Sequence, residues 1–178
     1  MQITRTLLPD IILITPDVYR DARGYFFESY NEKVYQEAGI AARFVQTCHS
    51  YSVKNTLRGL HYQKPHPQGK LIGVVKGAIR DLVVDVRRAS PTFGQHIEIR
   101  LSDNLPQMLW IPEGFAHGFL TVSDEAHILY QVTDFYFPKD ERVLLWNDPA
   151  LGIPWNIADP ILSDKDKNGT LLSALETY

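Results

Sequence analysis

The stretch RGLHYQKPHPQGK, residues 58–70, gathers Arg58, His61, His66 and Lys70 into one short segment. Three roles suit His61: metal ligand, general base, or a hydrogen-bonded residue beside a turn. Imidazole titrates near neutrality, so it can take a proton from a carbon beside a ketone. The enolate oxygen that develops needs fixed positive charge or donors, which is what Lys70 can supply. A carboxylate on the second ring nitrogen would orient the imidazole and stabilise the imidazolium. If the proton returns on the opposite face of the carbon, a weak acid such as tyrosine must stand across the pocket. Spacing alone selects neither the carboxylate nor the tyrosine.

The metal reading can be weighed on ligand chemistry. IPEGFAHGF (111–119) contains Pro112-x-Gly114-x-x-His117, which resembles the second signature of the cupin superfamily, small β-barrels that often carry a metal. The first cupin signature would place His-x-His on a strand, two imidazoles on one face, with a glutamate following. Here Gln63 stands two residues after His61, and no glutamate lies between His61 and Lys70. A divalent ion needs deprotonated N, O or S donors, and an ammonium brings the wrong charge. The barrel motif is present and the ligand set is not, so no metal is expected.

The elements that must hold these residues read as short strands separated by Gly, Pro, Asn and Asp. They are 10–16, 43–52, 56–63, 96–102, 106–112, 117–123 and 126–137, with 70–87 expected as a hairpin turning near Lys76–Gly77. Helix is scarce: 29–39 has a cap at Ser29 or Asn31 and a stop at Gly39, and 162–169 could form a short turn after Ser163. The pattern predicts a mainly β protein, an antiparallel sandwich or barrel of the jelly-roll kind, with a few short helices. Such a barrel can take a ligand in its mouth.

The chain has 178 residues and a net charge of −3 with no long basic run, which fits one domain (1–178, jelly-roll core about 43–137) and disfavours nucleic acid as a partner. A small anion needs only a few well-placed cations and stays open. Cys48 is the only cysteine, so no internal disulfide can form. The N-terminal apolar clusters are broken by Pro9, Asp10 and Pro16 and read neither as a membrane span nor as a signal peptide. A cytoplasmic location is expected.

From about residue 3 to 166 the chain resembles the dTDP-4-dehydrorhamnose 3,5-epimerase family, nucleotide-sugar enzymes of the cupin superfamily. The resemblance is carried in order by DARGYFFESYN, FVQTCHS, LRGLHYQ, QGKLIGVVKGAIRDLVVDVRRASPTFG, LWIPEGFAHGFL, LYQVTDFY, WNDPALGIPW and DPILSDKD. It implies a cupin-type double-stranded β-helix, a homodimer, and epimerisation of a dTDP-4-keto-6-deoxy sugar without metal or cofactor. It implies His61 as proton acceptor, Asp166 as its carboxylate partner, Lys70 at the enolate and Tyr130 as proton donor. Substrate contacts implied in the same way are Arg23, Glu28, Gln46, Cys48, Arg58, His117, Glu141 and Lys165, with Tyr136 stacking on the thymine. Guanidinium forks such as Arg23 and Arg58 suit a diphosphate. One position departs: Cys48 stands where the family usually has asparagine, and a thiol is a poorer hydrogen-bonding group than an amide.

Each residue also has a plainer reading. Ser163-x-x-Asp166 is a helix-capping pattern; Tyr130 shares strand parity with Ile128 and Val132 and fits a core tyrosine; Lys70 fits a solvated strand end. Arg23 and Arg58 fit surface ion pairs, and His117 fits a buried, hydrogen-bonded relic of the cupin motif. Cys48 and His49 are adjacent and on a strand face opposite ways, which argues against a thiol–imidazole nucleophile. His66, His96 and His127 read as surface residues. Rival functions are a mono-epimerase of C3 or C5 on a related sugar, a metal-dependent cupin enzyme, and a non-catalytic sugar-nucleotide sensor.

Overall fold

A computed structural model describes residues 1–178. The strands are β1 (Gln2–Arg5), β2 (Ile12–Thr15), β3 (Tyr19–Asp21), β4 (Gly24–Phe26), β5 (Gln46–Val53), β6 (Leu57–Gln63), β7 (Lys70–Lys76), β8 (Ala78–Asp85), β9 (His96–Ser102), β10 (Met108–Ile111), β11 (Phe115–Thr121), β12 (Glu125–Val132) and β13 (Glu141–Val143). The helices are α1 (Glu32–Glu37) and α2 (Asp164–Lys167), with one 3-10 turn at Leu172–Ala174. One antiparallel sheet runs β1-β2-β10-β7-β12-β5, a second runs β13-β6-β11-β8-β9, and β3-β4 form a separate hairpin. This is the jelly roll that the strand pattern and the cupin resemblance imply.

The two sheets face one another across a core of Ile72, Leu109 and Ile128 from one side and Ile79, Val83, Ile97 and Phe119 from the other. Their outer faces are covered as well. The C-terminal segment lays Leu144, Leu151, Trp155 and Leu175 on Leu60, Leu82 and Val84. Tyr35 of α1 and Ile40 cover Ile12, Leu71 and Trp110. Strands buried on both faces read as nearly unbroken apolar runs rather than alternating ones, and 70–87, two such runs about a local turn at Gly77, looks like a hairpin in the sequence.

It is not one. Gly77 does turn the chain, with φ +83, but β7 pairs with β10 and β12 while β8 pairs with β9 and β11. The turn carries the chain from one sheet to the other. The strand expected over 126–137 stops at Val132, and Phe135–Phe137 form a loop instead. α1 is shorter than 29–39: the Asn31 side chain caps it by accepting from the Lys33 and Val34 amides at 3.1 and 3.3 Å, and Gly39 takes the left-handed conformation after its end, at φ +87.

One irregularity shapes the site. β6 and β11 pair His61 with His117 and Arg58 with Phe119, so β6 carries an extra residue between the two pairings. In a regular strand Arg58 and His61 would point to opposite faces. The bulge turns both toward the space between the sheets. It is possible because Gly59 and Gly118 bring two backbones together: a Cβ on Gly59 would lie 2.6 Å from the Gly118 Cα.

Candidate active site

A cavity of about 800 Å³ opens between the sheets. His61 projects into it from β6, and its Nε2 lies 2.5 Å from Oδ1 of Asp166. Asp166 is 2% exposed and sits in the first turn of α2, where Ser163 Oγ accepts from its amide at 3.2 Å. The serine does the capping, so the aspartate carboxylate is free to hold the imidazole. Both readings of Ser163-x-x-Asp166 are met by different atoms. Burial pushes the Asp166 carboxyl up, but the hydrogen bond and charge of His61, with Ser163 and Lys165, outweigh it and leave it below its ordinary value.

With Nε2 held, Nδ1 is the nitrogen of His61 left to work. It lies 4.0 Å from Glu141 Oε1, while Glu141 Oε2 accepts from Lys165 Nζ at 2.7 Å and from the Tyr136 hydroxyl at 3.1 Å. Lys70 opens β7 and extends its ammonium to the backbone carbonyl of His61 at 3.2 Å. Burial pulls its pKa down to about 8, against Glu141 and Asp81, which favour the cation. It is therefore a cavity group and not a solvated strand end.

Tyr130 stands on β12, paired with Cys48 on β5 and Ile72 on β7, and so belongs to the sheet facing His61. Burial, then the Cys48 thiol, push its pKa up to about 12. A base fixed by a carboxylate on one wall, a protonated phenol on the other and a buried ammonium nearby are the parts needed to remove a proton from one face of a carbon and return one to the opposite face.

A model of the dTDP-4-dehydrorhamnose 3,5-epimerase family matches residues 5–174. The chain belongs to that family. The dTDP-4-dehydrorhamnose 3,5-epimerase of Pseudomonas aeruginosa is 50% identical over 180 residues, covering 100% of this chain and 99% of that protein. The Shigella flexneri enzyme of the same name is 48% identical over 171 residues, covering 95% and 94%. The crystal structure of a dTDP-6-deoxy-D-glucose-3,5-epimerase from Legionella pneumophila, in complex with dTDP-4-keto-L-rhamnose, superposes with a TM-score of 0.95 at 43% identity, covering 98% of this chain and 94% of that one.

Most positions implied by the epimerase resemblance converge on the cavity: Gln46, Cys48, Arg58, His61, Lys70, His117, Tyr130, Tyr136, Glu141, Lys165 and Asp166 all line it. Arg58 is aimed by Ser52 Oγ and the Tyr51 carbonyl, both 2.9 Å away. Gln46 donates to Cys48 Sγ at 3.1 Å and accepts from the Tyr136 amide at 3.2 Å. His117 is mostly buried, its side chain 12% exposed, and its Nε2 meets the Asp81 carboxylate at 2.9 Å; burial lowers its pKa against that carboxylate. His49 turns away from Cys48 and meets His127 at 3.0 Å on the other side of the sheet.

Arg23 and Glu28 are not brought to this cavity. Arg23 lies at the tip of the β3-β4 hairpin, 90% exposed, and its guanidinium pairs with Asp21 at 2.5 Å; Glu28 is also exposed. The hairpin is hydrogen-bonded to neither large sheet.

Three supporting residues are not among those the sequence reading singled out for the site. Asp81 holds His117, Ser52 holds Arg58, and Gln63 clamps the loop that carries Tyr136. Its amide nitrogen donates to the Phe135 and His66 carbonyls at 3.1 and 2.8 Å, and its oxygen accepts from the Phe137 amide at 2.8 Å. Asp81 leaves a signal in the sequence: an acid inside the apolar run AIRDLVV must be paired if buried.

Proposed function

We propose that the chain inverts C3 and C5 of dTDP-4-dehydro-6-deoxy-D-glucose, giving dTDP-4-dehydro-L-rhamnose on the route to dTDP-L-rhamnose. The observation that carries the reading is the placement of the Asp166-bound His61 and of Tyr130 on facing sheets. His61 Nδ1 takes the proton from C3 and, in a second round, from C5. Both carbons are acidified by the same C4 carbonyl, so one base serves both. The Lys70 ammonium stabilises the enolate oxygen, and Tyr130 returns a proton from the other side. Each inversion leaves an imidazolium and a phenolate, which exchange with solvent before the next. Arg58 suits the diphosphate and Tyr136, half-exposed at the cavity edge, suits stacking on thymine.

The reading uses neither metal nor organic cofactor. The donor set supports the metal-free part: no three His, Cys, Asp or Glu side chains group so as to hold a metal ion, and the Gln63 amide at the cupin-ligand position is spent on backbone groups. Incubation with dTDP-4-dehydro-6-deoxy-D-glucose, followed by proton NMR of the product, tests it. Inversion at both carbons, at a rate indifferent to EDTA, is expected; inversion at neither, or an EDTA loss restored by a metal, would overturn it.

Cys48 favours a narrower second reading, inversion at a single carbon. It replaces the family asparagine directly opposite Tyr130, where a lost hydrogen bond would bear on one of the two orientations of the sugar. Cys48→Asn tests this: a shift from one inverted centre to two supports the narrower activity, and an unchanged product removes it.

The homodimer implied by the resemblance gives Arg23 and Glu28 a use. The hairpin that carries them exposes Tyr19, Tyr25 and Phe26, the last 69% exposed, and an apolar patch of this kind on a protruding element suits an interface. In this reading it delivers Arg23 to the cavity of a second copy. No helix is long and apolar enough to cross a membrane, and a cytoplasmic site of action fits a chain with one free cysteine.

A further inference from the structure

The inward face of β5 presents Gln46, Cys48, Ser50 and Ser52 in succession, and all four line the cavity. Three of their side chains are committed inside the protein: Gln46 to Cys48 and the Tyr136 amide, Cys48 to Gln46, Ser52 to Arg58. Ser50 is the exception. Its hydroxyl is buried and has no hydrogen-bond partner in the protein, a condition shared only with Thr121, which does not line the cavity. A buried hydroxyl without a partner costs free energy that the fold could avoid with alanine.

Ser50 lies opposite Ile128 on β12, one inward position along β5 from Cys48, which lies opposite Tyr130. It therefore stands on the wall of the proposed proton donor. The surroundings bear on what it would meet. Ile128 and Ile72, both about 1% exposed, line the same part of the cavity, and an apolar wall disfavours an anionic diphosphate while suiting a neutral ring. A serine hydroxyl both donates and accepts, matching a sugar hydroxyl, which does both.

We infer that Ser50 is a substrate-binding residue that holds a hydroxyl of the sugar ring beside Tyr130 and so fixes which carbon faces His61. The inference rests on the epimerase reading and adds a residue to it. Because Cys48 offers only a weak donor at the neighbouring position, Ser50 is the one strong unpaired hydrogen-bonding group that β5 turns toward the sugar.

The test compares the full chain with Ser50→Ala and Ser50→Thr, using dTDP-4-dehydro-6-deoxy-D-glucose as substrate and dTDP as a probe of the nucleotide end. Ser50→Ala should melt at or above the parent temperature, keep its dTDP affinity, and lose kcat/KM by about tenfold. Ser50→Thr, which keeps the hydroxyl, should recover part of that loss. Unchanged kcat/KM in Ser50→Ala would overturn the inference, as would a loss matched by an equal loss of dTDP affinity or by a lowered melting temperature. An inactive parent chain would instead overturn the epimerase reading itself.

Discussion

At the scale of single residues the site is a set of groups held in unequal protonation states. Asp166 stays ionised because His61 and Ser163 outweigh its burial, Tyr130 stays protonated because burial and Cys48 raise it to about 12, and Lys70 is balanced near 8. Asp166→Asn should lower kcat by about 100-fold or more while leaving dTDP affinity unchanged, since it removes the group that orients the base; steady-state kinetics with dTDP titration checks both. Tyr130→Phe should retain hydrogen exchange at C3 and lose inversion, which separates donor from base. In the proposed mechanism Lys70 sets a pH limit. Its ammonium is charged below about 8, so kcat should fall as pH rises through that value. Stability moves the other way: the unfolded chain, with Lys70 at its ordinary 10.5, binds the proton more tightly than the folded one, so this lysine makes the fold more stable as pH rises from about 8 to 10.5. Lys70→Met should cost about 100-fold in kcat and melt no lower than the parent at pH 7, a pairing that a structural lysine would not give.

Elements decide which residues meet. The β6 bulge is the clearest case, because it alone lets Arg58 and His61 share a face. Gly59→Ala should fail there: φ +121 and the 2.6 Å approach to the Gly118 Cα leave no room for a methyl group, and a loss of about 2–4 kcal/mol in denaturant unfolding is expected. Strict alternation in the sequence would have set Arg58 and His61 apart; only the family resemblance puts both in the site. The same limit applies to His61 and Asp166, whose separation of 105 residues leaves no local trace. Where an element is governed locally it was legible. HIEIRLS became β9 at the boundaries read from the sequence, and Asn31 and Gly39 bracket α1. The 70–87 segment looks like a hairpin because the turn at Gly77 is local, whereas the strands that β7 and β8 pair with are set by packing of distant segments.

For the molecule as a whole, two covered sheets form a vessel, and the β3-β4 hairpin stands apart from both sheets. The sequence announces Arg23 and Glu28 through the resemblance, but neither lines the cavity of the single chain. In the proposed homodimer, a second copy supplies them. Mixing inactive His61→Ala with weakened Arg23→Ala should restore activity toward about one quarter of the parent, because each mixed dimer regains one complete cavity; no recovery would show that Arg23 does not act across an interface. Phe26→Asp should shift sedimentation toward the monomer and lower kcat/KM, since a charge on an apolar hairpin disfavours its burial.

Deuterium uptake from D₂O most directly tests the claim that an imidazole held by Asp166 removes hydrogen from carbon. With dTDP-4-dehydro-6-deoxy-D-glucose, the parent should place label at C3 and C5, located by NMR, and His61→Ala should place none while still binding dTDP. Label appearing at the parent's rate in His61→Ala would mean that another group is the base.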